Sequence, residues 1–385
     1  CIRDRLDVDL DLLPVTQHFD PEPPAEKVAE AAALISAAHH PMILAGNGVV
    51  RSGASAQLAE FAEKLNIPVA NTFMAKGVIP FKHRCALGSA GLQANDYVSC
   101  GFDQADVIVC VGYDLVEYHP YLWHPDRDRS IIHIDHSPAE TDGHYPVAVG
   151  VVGDIKHSLD RIAGLTTPHQ GAHVRPLRER LVKEMHQHRD DLEFPVKPQK
   201  IIWDLRTALD LEDIVVCDVG AHKMWMARMF RCEYPNTCII SNGFASMGIA
   251  VPGAIAARLV YPQRHVVAVP GDAGFMMNSQ EIETAIRCKL PIVILIWNDN
   301  SYGLIEWKQM NQFQRISNVR FNNPDFVAYA ESFGARGYRV ESTADLPAIL
   351  EEALANDTVS IIDCPVDYRE NIKLTDQLGT LVCPT

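Results

Sequence analysis

Short apolar segments alternate along this chain with longer segments of helical periodicity, and that alternation limits the folds open to it. PMILAGNG (41–48), IPVANTF (67–73), DVIVCVGYD (106–114) and SIIHIDH (130–136) are nearly unbroken apolar runs that end in turn residues. Runs of this kind suit strands buried on both faces. Helical segments lie between them, at Lys27 to Ala38 and at SAQLAEFAEKLN (55–66). Parallel strands need a crossover connection of a dozen or more residues, usually a helix. The β-then-α order therefore predicts an α/β protein with parallel sheets covered on both faces.

The rhythm runs to about Leu165, stops in a stretch rich in His, Arg and Glu, and restarts. DIVVCDVG (213–220), HVVAVPGDAG (265–274), IVILIWNDN (292–300) and TVSIIDCPVD (358–367) are the strand-and-turn segments of the second half. Helices are predicted at 248–260, 279–289, 326–334 and 344–356, with a short strand at 335–340. The expected organisation is two doubly wound parallel-sheet domains. A Pro-rich acidic linker at 1–26 precedes a Rossmann-like domain at 27–165. A polar connector at 166–189, with one helix around Pro176 to His188, leads to a second domain at 190–368 and a tail at 369–385.

A net charge of −15 argues against a nucleic-acid backbone as partner. It leaves room for an anionic ligand held by backbone N–H groups and a metal. The ten cysteines show no C-x-x-C spacing and mostly sit in apolar runs, which fits buried thiols of a cytoplasmic protein better than a structural zinc site. No apolar run reaches the roughly 18 residues of a membrane span, and no signal peptide is legible.

The chemistry concentrates in the second half. Gly271-Asp272-Ala273-Gly274 follows the strand HVVAVP, and Asn298-Asp299-Asn300 follows IVILIW. Both aspartates thus fall at carboxyl ends of strands, where open parallel sheets bind ligands. Two carboxylates there suit Mg²⁺, which commonly keeps phosphate oxygens in its shell. The glycines allow close backbone approach. The following helix is expected to start near Asn278, with Asn278 and Glu281 at capping-box spacing.

Gly271-Asp272-Ala273, a βαβ unit, and then Asn298-Asp299-Asn300 resembles the thiamine-diphosphate motif of the acetolactate synthase family, usually GDG … NN. Here Ala273 replaces the third Gly, and Asp299 replaces an Asn while keeping an oxygen ligand. The resemblance to the catabolic type extends through VGYDLVEYHPYLW (111–123), SNGFASMGIAVPGAIAA (241–257), WNDNSYGLIEWKQ (297–309), DFVAYAESFGARGYRVES (325–342) and IIDCPVDYRENIKL (361–374).

The resemblance implies Asp272, Asp299 and the main-chain oxygen of Ser301 as Mg²⁺ ligands. It implies that backbone N–H groups of Ala273 and Gly274 cradle the diphosphate, with Asn300 beside it. Val219-Gly220-Ala221-His222 matches the family's diphosphate-side loop, with Trp225 also present, although a histidine after a strand is more often structural. Met247 falls at the family's bulky residue under the cofactor, and the main-chain oxygen of Ala245 at the acceptor for its amino group. Met247 and Tyr302 are implied at the reacting centre. Gly303 and Leu304 extend the cofactor-binding stretch. Met224, Ile305 and Glu306 are candidates for the substrate side.

The implied activity is decarboxylation of pyruvate and its joining to a second pyruvate, giving 2-acetolactate and CO₂. The biosynthetic branch carries a Trp where Lys308 stands here, so pyruvate is the expected acceptor. The implied assembly is a homodimer or homotetramer with active sites between subunits. The family's catalytic glutamate belongs to a further domain with no counterpart in these residues. A fragment or split enzyme, inactive alone, is therefore expected. Other thiamine-diphosphate 2-oxoacid decarboxylases or lyases, or a non-catalytic Mg–diphosphate-binding subunit, remain alternatives.

Gly46, Gly48 and Gly53 in GNGVVRSG suggest a nicotinamide or flavin site in the first half. The spacing departs from G-x-G-x-x-G, and Asn71 stands where an acidic residue would be wanted. FAD is not expected, and Asp135 and His136 are read as structural turn residues.

Overall fold

The computed structural model describes residues 21–91, 96–170 and 174–374. Twelve strands form two six-stranded sheets, and every pairing in them is parallel. The first sheet contains β1 (Pro41–Ala45), β2 (Val69–Asn71), β3 (Ala86–Ser89), β4 (Val107–Val111), β5 (Ser130–Asp135) and β6 (Val147–Val152), in the order β3-β2-β1-β4-β5-β6. The second contains β7 (Ile214–Cys217), β8 (Cys238–Ile240), β9 (Val266–Val269), β10 (Val293–Asn298), β11 (Arg336–Arg339) and β12 (Ser360–Pro365), in the order β11-β12-β10-β9-β7-β8. The α/β reading thus holds. β3, β6 and β8 are strands that the sequence reading did not mark.

Each central strand feeds two cores. Val107, Val109 and Val111 of β4 face one hydrophobic cluster, and Ile108 and Cys110 face the other. In β10, Val293, Leu295 and Trp297 alternate in the same way with Ile294 and Ile296. Period-two side-chain direction combined with helices on both faces is why these strands read as unbroken apolar runs.

The helix Arg175–Gln187 buries Leu177 in a first-domain cluster, and Leu181 and Met185 in a second-domain cluster. Its polar face had suggested a simple connector. Across the same boundary Arg228, itself buried, pairs with Asp96 at 3.1 Å and with Glu184 at 2.6 Å. Lys76 Nζ donates to the Ala227 carbonyl at 2.7 Å.

The strand order reverses between β1 and β4 in the first sheet and between β7 and β9 in the second, with all strands still parallel. Such switch points open crevices at the carboxyl ends of strands. In the first domain the crevice is closed by the protein itself. A Cβ on Gly46 would lie 2.4 Å from the Gly112 carbonyl oxygen, and one on Gly48 would lie 2.6 Å from Gly112 Cα. The Asn47 N–H donates to both carboxylate oxygens of buried Glu117 at 3.0 Å, and Thr72 Oγ1 donates to Glu117 Oε2 at 2.5 Å. These glycines therefore answer to turn-on-turn packing. Gly53, at φ +63°, ends the short helix Asn47–Arg51.

Gly48→Ala is expected to lower stability by about 3 kcal/mol, because the neighbouring backbone cannot yield. Gly164→Ala, a helical position with nothing within 4 Å of the added methyl, is expected to raise it by about 0.5–1 kcal/mol. Urea unfolding of the two variants checks both signs.

Candidate active site

The second crevice is open. Val219 and Gly220 follow β7, Gly271 and Asp272 follow β9, and Asp299 follows β10. Together with Ala221, His222, Met247, Ala273, Gly274, Ser301, Tyr302, Gly303, Leu304 and Ile305 they line one cleft of about 110 Å³. The cleft brings together most of the residues singled out in the sequence. Ala245 and Asn300 lie outside its lining. Tyr368, which the sequence did not flag, also lines it, arriving from the segment after β12.

The turn after β9 runs directly into a helix, Asp272–Met277, capped by Gly271. The expected start near Asn278 is thus wrong. Asn278 ends that helix, and its Nδ2 donates to the Gly248 carbonyl at 2.8 Å rather than capping anything. The next helix, Glu281–Arg287, starts from Gln280. The early start places Asp272 in the first turn, where a negative charge meets the positive end of the helix.

Asp272 is 1% exposed. Its Oδ1 accepts from the Ala273 N–H at 2.8 Å, and its Oδ2 accepts from the Asn300 N–H and from Asn323 Nδ2, both at 2.7 Å. The Ala273 N–H is thus engaged by Asp272 in this structure. Burial still holds the Asp272 carboxyl above the usual range, against the pull of those donors. Asn323 went unrecognised in the sequence because it sits 51 positions from Asp272 with no motif around it. It also donates to Asn298 Oδ1 at 2.9 Å and to Asn300 Oδ1 at 3.2 Å. The side chains of Asn298 and Asn300 are therefore tied to the fold, and Asn300 takes φ +55°, a left-handed turn that Asn tolerates.

Asp299 is pushed up to about 8, by burial first, then by the charges of Asp272 and Glu306. Burial, with the neighbouring charges adding to it, penalises both carboxylates, a penalty that a divalent cation would relieve. Gly303 is required beside them, since a Cβ there would lie 2.6 Å from Asp299 Oδ2. Ser301 Oγ donates to Glu306 Oε2 at 2.7 Å, while Arg320 pairs with Glu306 Oε1 at 2.9 Å. Glu306 therefore braces the loop rather than facing the cleft. Among the described residues no cluster of three or more His, Cys, Asp or Glu side chains could hold a metal.

On the opposite wall, the N–H groups of Val219, Gly248 and Ala250 donate to the buried Asp218 carboxylate at 2.7, 2.9 and 3.1 Å. Asp218, another residue missed in the sequence, fastens the β7 turn to the loop carrying Met247. A Cβ on Gly274 would lie 3.2 Å from that carboxylate. His222 is 2% exposed, and its Nε2 is buried without a hydrogen-bond partner. Burial, with Lys223 adding to it, lowers its pKa to about 3, so the ring is neutral. A buried polar atom without a partner is costly, and one lining a cleft is a place for a ligand atom. Trp225 belongs to the core and donates from Nε1 to Asn371 Oδ1 at 2.7 Å. Tyr302 lies at the cleft edge, 40% exposed, against the Phe321 ring at 5.2 Å. Met224 lines a different cavity.

Residues 28–162 match the central domain of thiamine pyrophosphate enzymes, and residues 218–364 match their C-terminal TPP binding domain. The chain belongs to the thiamine pyrophosphate enzyme family. It is similar to the acetolactate synthase of Bacillus subtilis (strain 168), at 36% identity over 360 residues, covering 91% of this chain and 62% of that protein. It is 36% identical to the catabolic acetolactate synthase of Raoultella terrigena over 298 residues, 76% of this chain and 53% of that one. It is 30% identical to the acetolactate synthase of Mycobacterium bovis (strain ATCC BAA-935 / AF2122/97) over 364 residues, 90% of this chain and 57% of that one. The chain thus spans between 53% and 62% of the length of these relatives. No helix among the described residues is long and apolar enough to cross a membrane.

A histidine held neutral by folding, with its pKa moved from 6.5 to about 3, binds more protons in the unfolded chain. Its contribution to stability is present above pH 6.5 and is lost as pH falls through 6.5 toward 3. His222→Gln is expected to remove on the order of 3 kcal/mol of acid destabilisation by pH 3. Urea midpoints of wild type and variant between pH 7 and pH 3.5 check this, and parallel curves would refute it.

Proposed function

We propose that the protein acts as an acetolactate synthase, decarboxylating pyruvate on thiamine diphosphate and joining the product to a second pyruvate to give 2-acetolactate and CO₂. The observation that carries this reading is the cleft at the β7/β9 switch point, where Asp272, Asp299 and the orphaned Nε2 of His222 meet. The residues present fit the cofactor's diphosphate end. Asp272, Asp299 and the main-chain oxygen of Ser301 would hold Mg²⁺. His222, against which a Cβ on Gly220 would press at 2.7 Å and one on Gly271 at 3.4 Å, would face one of the diphosphate's oxygens. Asn300 and the backbone N–H groups of Ala273 and Gly274 lie on the same side in this reading. Met247, half-buried in the cleft wall, would support the cofactor's ring system. The main-chain oxygen of Ala245, at φ +53°, would accept from the cofactor's amino group. When bound, the cofactor supplies an electron sink for decarboxylation.

The reading assigns pyruvate to both donor and acceptor roles, no FAD to the first domain, and a homodimer or homotetramer with active sites between subunits. Support for the flavin assignment comes from the first crevice, whose turn N–H and glycines are already engaged by Glu117 and Gly112. The similarity to acetolactate synthases supports the substrate assignment.

Calorimetric titration with thiamine diphosphate is expected to show binding that requires Mg²⁺. Asp299→Ala is expected to weaken that binding by at least tenfold, about 1.4 kcal/mol or more. Binding that is indifferent to Mg²⁺ would refute the metal set. Product analysis after addition of pyruvate, with the family's glutamate-bearing domain supplied in trans, separates the readings: 2-acetolactate supports the synthase, whereas acetaldehyde as the sole product indicates a simple decarboxylase.

A further inference from the structure

Two cysteines meet at the boundary between the domains. Cys232 and Cys238 bracket the loop at 233–237, and their buried thiols share a hydrogen bond. Thr237 turns the loop back, its Oγ1 donating to the Tyr234 carbonyl at 2.8 Å. Cys238 is the first residue of β8, an edge strand paired with β7. The same loop seats on the first domain. The Phe81 N–H donates to the Cys232 carbonyl at 2.7 Å, and a Cβ on Gly77 would lie 2.1 Å from the Tyr234 carbonyl oxygen.

Cys232 borders a cavity of about 20 Å³ that shares no lining residue with the cofactor cleft. That volume suits a single molecule little larger than water. Lys76, Ser89, Arg178 and Arg228 line it as well. Lys76 Nζ donates to the Ala227 carbonyl at 2.7 Å and to Ser89 Oγ at 3.4 Å. Arg178 Nη1 and Arg228 Nε are buried with no hydrogen-bond partner among the described residues. Buried N–H groups without an acceptor are costly, and both arginines border the cavity that Cys232 borders.

This setting separates Cys232 from other buried thiols. Burial pushes the Cys110 thiol up to about 12, and it pushes Cys217 and Cys364 well above the ordinary range. Burial also opposes ionisation of Cys232. The hydrogen bond from Cys238, the Lys76 charge, the hydrogen bond from Thr237 and the Arg206 charge outweigh it and hold the Cys232 thiol below the ordinary range. Cys238 is pushed up, by its bond to Cys232 first and then by burial, so it keeps its proton and donates. A thiolate beside cations is the nucleophilic form of cysteine.

We propose that Cys232 and Cys238 are a peroxide-oxidisable pair, in which Cys232 attacks a hydrogen peroxide molecule admitted by this cavity and Cys238 closes a reversible disulfide. The Cys232 thiolate attacks one peroxide oxygen and the O–O bond breaks. The electron pair leaves on the second oxygen, which departs as hydroxide and takes up a proton to become water. Cys232 is then a sulfenic acid. The Cys238 sulfur displaces the hydroxyl from it, the S–S bond forms, and the Cys238 proton leaves with the hydroxyl as a second water. Two thiols lose two electrons, and one peroxide is reduced to two waters. The Lys76 ammonium and the unpartnered arginine N–H groups are the donors at hand for the departing hydroxide. A thiol reductant reverses the step by exchange. The disulfide closes the 233–237 loop into a ring where it carries Gly77 and Phe81, so the oxidation acts on the domain boundary and not on the cofactor cleft.

The test is brief exposure of the native chain to hydrogen peroxide, alkylation of remaining thiols in denaturant, and mass spectrometry of tryptic peptides. Cleavage after Arg231 and Arg258 puts both cysteines, and no other, in the peptide 232–258. That peptide is expected to be two hydrogens lighter and unalkylated, and to become fully alkylated after dithiothreitol. Cys288, an exposed thiol, is the internal reference, and the pair is expected to oxidise at least about tenfold faster. In Cys238→Ser, Cys232 is expected to stop at the sulfenic acid, which dimedone traps. In Cys232→Ser, Cys238 is expected to stay reduced. Lys76→Met is expected to slow the oxidation about tenfold. Circular dichroism melting reports whether that variant folds, and if it does not, the two cysteine variants decide. Retention of both thiols in 232–258 while Cys288 oxidises, or no dimedone label on Cys238→Ser, would overturn the proposal. Oxidation by oxidised glutathione, which is too large for the cavity, at the rate seen with peroxide would overturn it too.

Discussion

The buried carboxylate of Asp272 is the interaction on which the second domain's cleft depends. Its oxygens accept from the Ala273 N–H, the Asn300 N–H and Asn323. Those donors come from the helix after β9, the loop after β10 and the strand-like segment paired with Ser301. One carboxylate therefore fixes three pieces of backbone that no regular ladder joins. Its desolvation is opposed by three donors and is not fully cancelled, since its carboxyl still sits above the ordinary range. Asp299 nearby, pushed up to about 8, carries the remaining electrostatic tension. A site built from two repelling carboxylates with spare lone pairs is poised for a cation.

The two domains solve the same topological problem with opposite results. Each has a parallel six-stranded sheet with a switch point, and each puts a glycine turn at its crevice. In the first, Gly46 and Gly48 press against Gly112, and Glu117 reaches the Asn47 N–H as an external anion would. In the second, the corresponding inward carboxylate is Asp218. It is drawn sideways to the N–H groups of Gly248 and Ala250, and the crevice stays open. Whether a switch point is a ligand site or a piece of core depends on where one acidic side chain finds its donors.

Polar groups also organise the boundary between domains. Arg228 with Asp96 and Glu184, Lys76 with the Ala227 carbonyl, and Asn242 with the Glu117 carbonyl all cross it. Buried ion pairs contribute modestly to net stability but strongly penalise a misplaced partner. Arg228 and the Ala227 carbonyl tie the helix Ala221–Met229 to Asp96, Glu184 and Lys76, and Asn242 separately ties the second domain to the loop after β4.

The sequence by itself determined the fold class, the two α/β units, and the strands that carry both aspartates. Unbroken apolar runs and turn residues are local signals, and a strand buried on both faces writes them plainly. Motif spacing marked Asp272 and Asp299, and the family resemblance marked His222 and Met247; all four line one cleft in the structure. The sequence misled at Asn278, because capping-box spacing recurs by chance and the helix had already begun at Asp272. It could not give Asn323, Asp218 or Tyr368. Each of these acts through a neighbour brought close only by the folded chain, and no short-range pattern records such a pairing. The tertiary structure decided which crevice is filled and which is open, because that depends on the direction of single carboxylates after the sheets have assembled.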